Sequence, residues 1–227
     1  MKNVMPAAPS DDASKKEWEL YINSLTDYIC DNCDNQEACI ARAMAFLRQK
    51  NQDMALIDLA TAHGIDPMGK TGVRAMQMKK QLSNDIIRKS DEMYRELNKS
   101  IFEDDSHEEN VIKRNIFLIT AQIARDPLDP NGYCAKALEF MKLGEFKQAR
   151  QYFLKAQFVD IQCVHAEKGL LRLENLVDKD PDNPTEFENN ENNQSGQETE
   201  NQEAIDELEA ELNESAKSNN SETTLSH

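Results

Sequence analysis

Residues 64–71 read GIDPMGKT and match G-x-x-x-x-G-K-[ST], the pattern that cradles phosphate in many nucleotide-binding proteins. Such a loop follows a strand, precedes a helix and offers free backbone N–H groups to the phosphate. Here a segment of helical spacing comes first, Pro67 removes one N–H donor, and Asp66 adds a carboxylate beside the phosphate position. We therefore interpret Gly64–Thr71 as a turn between repeats. Nucleotide binding through Lys70 and Thr71 is the alternative function.

Three cysteines, Cys30, Cys33 and Cys39, lie within ten residues. A Cys-x2-Cys pair is half of a zinc site, which also needs a second pair or two histidines. The other two cysteines and the four histidines stand at no supporting spacing. We predict no metal, no cofactor and no catalytic residue, so that the protein is not an enzyme, with zinc binding by these cysteines as an open alternative. An odd number of cysteines fits a reducing compartment better than a disulfide framework.

The elements that carry these residues are predicted to be helices. Gly and Pro number seven each, and no run of alternating or continuous β-branched residues is present. Apolar residues instead recur every three to four positions, which is typical of an all-α protein. The predicted helices cover residues 14–29, 37–49, 53–63, 73–102, 111–125, 131–143, 145–159 and 162–177.

Two segments of the chain, 36–69 and 130–163, repeat one pattern of small and large apolar residues with an offset of 94 positions. The small residues stand where two helices must approach closely, and the large ones fill the space between them. The pattern resembles the tetratricopeptide repeat (TPR), a 34-residue helix–turn–helix. The matching positions are Cys39, Arg42, Ala43, Phe46, Ala55, Leu59 and Pro67 in the first copy, and Tyr133, Lys136, Ala137, Phe140, Ala149, Phe153 and Ile161 in the second.

The resemblance implies a TPR-like solenoid of helix–turn–helix repeats, with four departures from the family pattern. Cys39 and Tyr133 stand where the family has Trp. Arg42 and Lys136 stand where the family has Leu, and Ile161 replaces the closing Pro. The offset of 94 is not a multiple of 34. The intervening segment is therefore either a pair of longer helices or an insertion. A helical bundle with a chance alanine pattern is the alternative to a repeat protein.

In this family the first helix of each pair lines a concave groove, so the resemblance also implies a binding surface. The family's carboxylate-binding variant uses Lys and Asn in the groove, and this chain lacks them. We expect an apolar or amphipathic peptide instead, since methionine offers adaptable contacts. The alternative is that these side chains pack as core. The groove positions would be Ile40, Met44, Leu47, Arg48, Cys134, Leu138, Met141 and Lys142.

The negative charge is concentrated at the C-terminal end of the chain. The formal net charge is -16, and residues 178–227 hold fifteen acids against two lysines. We predict a flexible N-terminus (1–13), a helical domain (14–178) and a disordered acidic tail (179–227). Within the tail, a short amphipathic helix at 203–212 puts Ile205, Leu208 and Leu212 on one face. This helix docks in the chain's own groove, presents to another protein, or stays solvated.

Charge and hydropathy exclude several classes of function. The chain has no basic cluster, which argues against nucleic-acid binding, and no apolar run long enough to insert into a membrane. No signal-like apolar segment stands at its start, which indicates a cytoplasmic protein. We therefore expect a non-enzymatic protein–protein interaction module that acts as an adaptor, a scaffold or a chaperone-like binder.

Overall fold

Eight α-helices are found in the part of the chain that the computed structural model describes, residues 4–100, 107–177 and the single positions 205, 210 and 212. No strand occurs among these residues, so the predicted all-α class is confirmed. Residues 101 and 102 of the predicted fourth helix, and almost all of the predicted tail, lie outside the described residues. The helices are α1 (Lys15–Asp31), α2 (Gln36–Arg48), α3 (Gln52–Ile65), α4 (Lys70–Ser100), α5 (His107–Arg125), α6 (Pro130–Lys142), α7 (Phe146–Val159) and α8 (Val164–Val177).

Side-chain caps mark where several of these helices begin. Ser14 and Glu17 form a capping box at the start of α1, where each side chain binds the other's backbone N–H. The Asn35 carboxamide oxygen accepts from the Ala38 N–H at 3.0 Å before α2, and the Asp129 carboxylate accepts from the Asn131 N–H at 3.0 Å before α6. These caps satisfy N–H groups that lack a partner inside the helix.

The pair α2–α3 and the pair α6–α7 have the same construction. Both pairs join a 13-residue helix to a 14-residue helix, and the second pair begins 94 residues after the first. Their turns match as well: Lys50 and Gly144 occupy equivalent positions, with φ of 59° and 71°. The next N–H, of Asn51 or Glu145, donates to the carbonyl oxygen of Phe46 or Phe140 at 2.9 Å. The chain therefore has an all-α, repeat-like architecture.

The helices that follow each pair begin at a constant interval. Helices α2 and α4 begin at residues 36 and 70, and helices α6 and α8 begin at residues 130 and 164, which is 34 positions in each case. Helices α4 and α5, which lie between the two pairs, have 31 and 19 residues. The described part of this segment is helical, and its interpretation as a degenerate pair of longer helices or as an insertion stays a prediction.

The described residues divide between two compact units, those of ranges 1–90 and 123–128 and those of ranges 91–122 and 129–227. In the first unit, α2, α3 and α4 enclose a core in which Leu59 packs with small residues. The core residues are Cys39, Ile40, Ala43, Ala55, Leu59, Ala62 and Ala75. Helix α1 covers the other side of α2 through Tyr21 and Leu25. Alanines let these helix axes approach closely, as the repeated pattern predicted.

In the second unit, the equivalent alanines of α6 and α7 are fully buried as well. Phe153 takes the position of Leu59, and Gly169 of α8 takes that of Ala75. A Cβ atom added to Gly169 would lie 2.3 Å from Phe153 Cζ, so glycine makes room for the larger ring. The two repeats therefore fill the same space with different combinations of large and small residues.

The polar residues that depart from the family pattern are buried in both repeats. Arg42 Nε and Nη2 donate to the Asp58 carboxylate at 2.9 and 2.8 Å, and Nη1 donates to Thr26 Oγ1 at 3.0 Å. At the equivalent positions of the second repeat, Lys136 Nζ lies 4.6 Å from the centre of the Tyr152 ring. An ion pair in one repeat thus corresponds to a cation–π contact in the other.

Candidate peptide-binding surface

The predicted groove residues of α2 divide between core and surface. Ile40 is 1% exposed and belongs to the core of the first unit, and Leu47 packs against the same core. Met44 is 46% exposed, and the side chain of Arg48 is also exposed. Met44 and Arg48 are one helical turn apart, so they share a face of α2 that is open to a ligand.

The predicted groove residues of α6 are covered. Cys134, Leu138 and Met141 are 1%, 2% and 3% exposed inside the second unit. The half-buried Lys142 side chain lies with its Nζ 3.4 Å from the Glu139 carboxylate. A charge at Leu138 would disturb folding as well as binding, so this position is a poor probe of the groove. A binding role for the eight residues stays a prediction.

A depression of about 490 Å³ lies beside Arg48 at the C-terminal end of α2. The Arg48 guanidinium lies 5.7 Å from the centre of the Trp18 ring and forms an ion pair with Asp11. Gln49 Nε2 donates to the carbonyl oxygen of Lys15 at 2.9 Å. The lining residues are Asp11, Ala13, Lys15, Trp18, Arg48, Gln49 and Lys50, three cations against one anion.

The contribution of the N-terminal segment was not predicted, because residues 1–13 were assigned to a flexible N-terminus. The structure brings Asp11 and Ala13 to the edge of the depression. The only sequence signal in this region is the capping pair Ser14 and Glu17, which locates the start of α1 but says nothing of the residues before it. An ion pair between positions 11 and 48 leaves no local trace in the sequence.

The phosphate-loop pattern occupies the turn between α3 and α4. Gly64 lies inside α3, and Lys70 is the first residue of α4. Within the turn, the Gly69 N–H donates to the Asp66 carboxylate at 3.0 Å, and a Cβ atom added to Gly72 would lie 1.9 Å from the Asp66 carbonyl oxygen. The glycines therefore allow close packing of this turn, and a carboxylate takes the N–H that a phosphate would need.

The cysteines fall into two groups. Cys30 and Cys33 are exposed near the end of α1, whereas Cys39 is buried in the first core. Cys134 and Cys163 are both buried in the second unit, with their sulfur atoms 3.8 Å apart. Among the residues that the structure describes, no three His, Cys, Asp or Glu side chains are grouped to hold a metal ion.

The tail contributes three described residues, Ile205, Ala210 and Leu212, and all three are helical. Ile205 and Leu212 are 2% and 8% exposed, while Ala210 is exposed. The first two are members of the face predicted to be apolar, and the third member, Leu208, lies outside the described residues. Neighbours in a single helix cannot cover a side chain so fully, so Ile205 and Leu212 pack against other parts of the chain.

We expect Ile205→Asp to release this part of the tail, because a carboxylate cannot be buried there without a partner. Cleavage of the folded protein by a glutamate-specific protease near Glu207 and Glu209 should become at least about tenfold faster, which corresponds to a cost of about 1.4 kcal/mol. The matched control is Ala210→Asp, which puts the same charge on the exposed side of the helix and should leave the rate unchanged. Equal cleavage of the wild type and Ile205→Asp would contradict the packing.

Comparison with protein-family models, with curated protein sequences and with solved structures finds no match to this chain. No described helix is long and apolar enough to cross a membrane.

Proposed function

We propose that this protein is a non-enzymatic, TPR-like interaction module whose first unit binds a segment of a partner protein. The interval of 34 residues between helix starts supports the family assignment, because it equals the length of one TPR. The two matched helix pairs, with buried alanines at the positions of closest approach, support it independently. The step from this architecture to binding rests on analogy with the family.

The observation that carries the binding site is the exposure of Met44 one helical turn from Arg48, which lines the depression together with Trp18. Most of the other apolar residues of α2 are buried, so an exposed methionine on this helix offers a ligand an adaptable contact. Lys15, Arg48 and Lys50 add positive charge around the depression in a chain of net charge -16. An amphipathic peptide with acidic residues beside its apolar ones fits this surface.

An adaptor, a scaffold and a chaperone-like binder would all use such a surface. We favour a cytoplasmic chaperone for an assembly-prone partner, because many small acidic repeat proteins resemble such chaperones. A chaperone would bind the apolar segment through which its partner assembles, and the acidic tail would keep the complex soluble.

Partner capture tests the proposal. The full-length protein and a version truncated after Lys179 would be used as baits in the native cell extract, and captured proteins would be identified by mass spectrometry. We expect Met44→Asp to reduce capture of the main partner at least about tenfold, because the peptide would bury an unpaired carboxylate. Met68→Asp is the matched control, since Met68 lies exposed in the turn between α3 and α4.

The alternative function gives a different result in the same experiment. Capture that depends on magnesium-ATP and is lost in Lys70→Ala would favour nucleotide binding through residues 64–71. Equal capture by Met44→Asp and the wild type, with no effect of nucleotide, would contradict the proposed surface. A direct titration of the purified bait with a synthetic peptide from the captured partner separates binding to this surface from indirect capture.

A further inference from the structure

Two buried cysteines of the second unit lie side by side, one within a helix and the other just before a helix. Cys134 is in α6, and Cys163 immediately precedes α8. Their sulfur atoms are 3.8 Å apart, in hydrogen-bond contact. The first repeat has Ile40 and Gly69 at the equivalent positions, so the pair is not a requirement of the repeated architecture.

The surroundings make the two sulfurs chemically different. The hydrogen bond from Cys134 lowers the pKa of Cys163 to about 6, helped by the backbone N–H groups of Ala166 and His165 at the start of α8. The same hydrogen bond, together with burial, raises the pKa of Cys134. The lowered pKa of Cys163 favours its thiolate form, whereas the raised pKa of Cys134 favours its thiol form. A thiolate is the nucleophilic form of cysteine.

The two cysteines also differ in how accessible they are to a small molecule from solvent. Cys163 is 6% exposed and stands between Ile161 and Val164, which are both exposed at the turn before α8. Cys134 is 1% exposed in the middle of α6. A small oxidant that enters at the turn reaches Cys163 first.

We propose that Cys134 and Cys163 are a redox-active pair that forms a reversible disulfide when the protein meets hydrogen peroxide. The Cys163 thiolate attacks one peroxide oxygen and the O–O bond breaks. The departing hydroxide takes from the solvent the proton that Cys163 released on ionising, and becomes water. Cys163 is then a sulfenic acid. The Cys134 sulfur attacks the Cys163 sulfur, the S–O bond breaks, and the released hydroxide takes the Cys134 proton. Two thiols and one peroxide give one disulfide and two waters.

The bond requires only local movement, because the sulfurs approach from 3.8 Å to the roughly 2 Å of a disulfide. Its consequence is a covalent link from α6 to α8, which otherwise contact each other through packed side chains. The link would hold α8 in place and resist unfolding of the second unit. The inference does not depend on the proposed binding function.

Peptide mapping of the intact protein tests the pair. Trypsin separates the relevant thiols, because Cys134 lies in peptide 126–136, Cys163 in peptide 156–168, and Cys30, Cys33 and Cys39 together in peptide 17–42. After brief treatment of the native protein with peroxide and alkylation of the remaining thiols, we expect peptides 126–136 and 156–168 to be joined. Dithiothreitol should separate them. The link should form about tenfold faster near pH 7 than near pH 5, following the thiolate of Cys163.

Two variants give the matched controls. Cys134→Ser removes the resolving thiol, so Cys163 should remain a sulfenic acid that dimedone traps. Cys30→Ser with Cys33→Ser should leave the link unchanged. The proposal is overturned if peroxide oxidises Cys30 and Cys33 while peptides 126–136 and 156–168 stay separate. It is equally overturned if the link forms only after urea has unfolded the chain, because the native contact would then play no part.

Discussion

Replacing Asp58 with leucine is expected to lower the free energy of unfolding of the first unit by about 3–5 kcal/mol. Asp58 is 1% exposed and receives two hydrogen bonds from Arg42. Without the carboxylate, the buried guanidinium would lose its ion pair with Asp58. Arg42→Leu should cost a similar amount, because it leaves the carboxylate buried instead.

The double variant Arg42→Leu/Asp58→Leu should be more stable than either single variant and come within about 1 kcal/mol of the wild type. Burial raises the pKa of the Asp58 carboxyl, although the hydrogen bonds and charge of Arg42 act in the opposite direction. The Asp58 hydrogen bond and charge raise the pKa of Arg42 in spite of burial, so the two partners point in opposite directions. The expectation for the double variant therefore rests on the general cost of desolvating a buried ion pair. Leucine is also the residue that the TPR pattern has at position 42. Thr26 keeps a hydrogen bond to the Ile22 carbonyl oxygen at 2.8 Å when Arg42 is removed.

Urea unfolding followed by tryptophan fluorescence measures these changes in unfolding free energy in the first unit, which contains the ion pair. Trp18 is the only tryptophan, and it packs edge-to-face on Tyr21 of α1. A double variant as unstable as either single variant would show that the ion pair contributes net stability, contrary to the expectation. Additive effects would show that the two residues do not act as a pair.

The loss of stability that Arg42→Leu causes, relative to the wild type, should be smaller in acid than at neutral pH. Loss of the guanidinium raises the pKa of the folded Asp58 carboxyl further above its unfolded value, so the folded state binds a proton at a pH where the unfolded state does not. Such a group stabilises the folded protein at low pH, and this contribution is lost as the pH rises through this range. The difference in unfolding free energy from the wild type should therefore be smaller near pH 5 than near pH 7.

The local parts of the fold could be predicted from the sequence. Helical spacing and caps such as Ser14 and Asn35 determine helix class and start, because both depend on residues within a turn of each other. The alanine pattern predicted which helices pack together, since Ala43 and Ala55 repeat at Ala137 and Ala149. These signals lie within one helix pair.

The composition of the candidate site could not be predicted in the same way. Met44 and Leu138 are both assigned to the inner face of a repeat helix, yet one is 46% and the other 2% exposed. Exposure depends on which distant segment covers a face, and helical periodicity carries no information about that. The pair Arg42 and Asp58 is equally invisible, because charged residues sixteen positions apart are common on the surface of any helical protein.

Gly169→Ala is expected to destabilise the second unit by about 2 kcal/mol, against the usual preference of helices for alanine. The added Cβ would lie 2.3–2.6 Å from three ring carbons of Phe153, which is 1% exposed and has no room to turn away. Gly64→Ala is the matched control, since a Cβ atom at Gly64 in α3 meets nothing within 4 Å. That substitution should be neutral or stabilise the first unit by about 0.5–1 kcal/mol.

The first repeat predicts how the effect of Gly169→Ala can be reversed. Its equivalent residues are Leu59 and Ala75, which share one core. Phe153→Leu alone should cost about 1–2 kcal/mol through the cavity it leaves. Combined with Gly169→Ala, it recreates the pair of the first repeat, so the double variant should lie within about 1 kcal/mol of the wild type. Hydrogen exchange of peptides from α7 and α8 would measure this coupling. If the losses of stability of the two single variants simply add in the double variant, the second repeat does not share the packing of the first. The equivalence of the two repeats would then give no basis for comparing their binding roles.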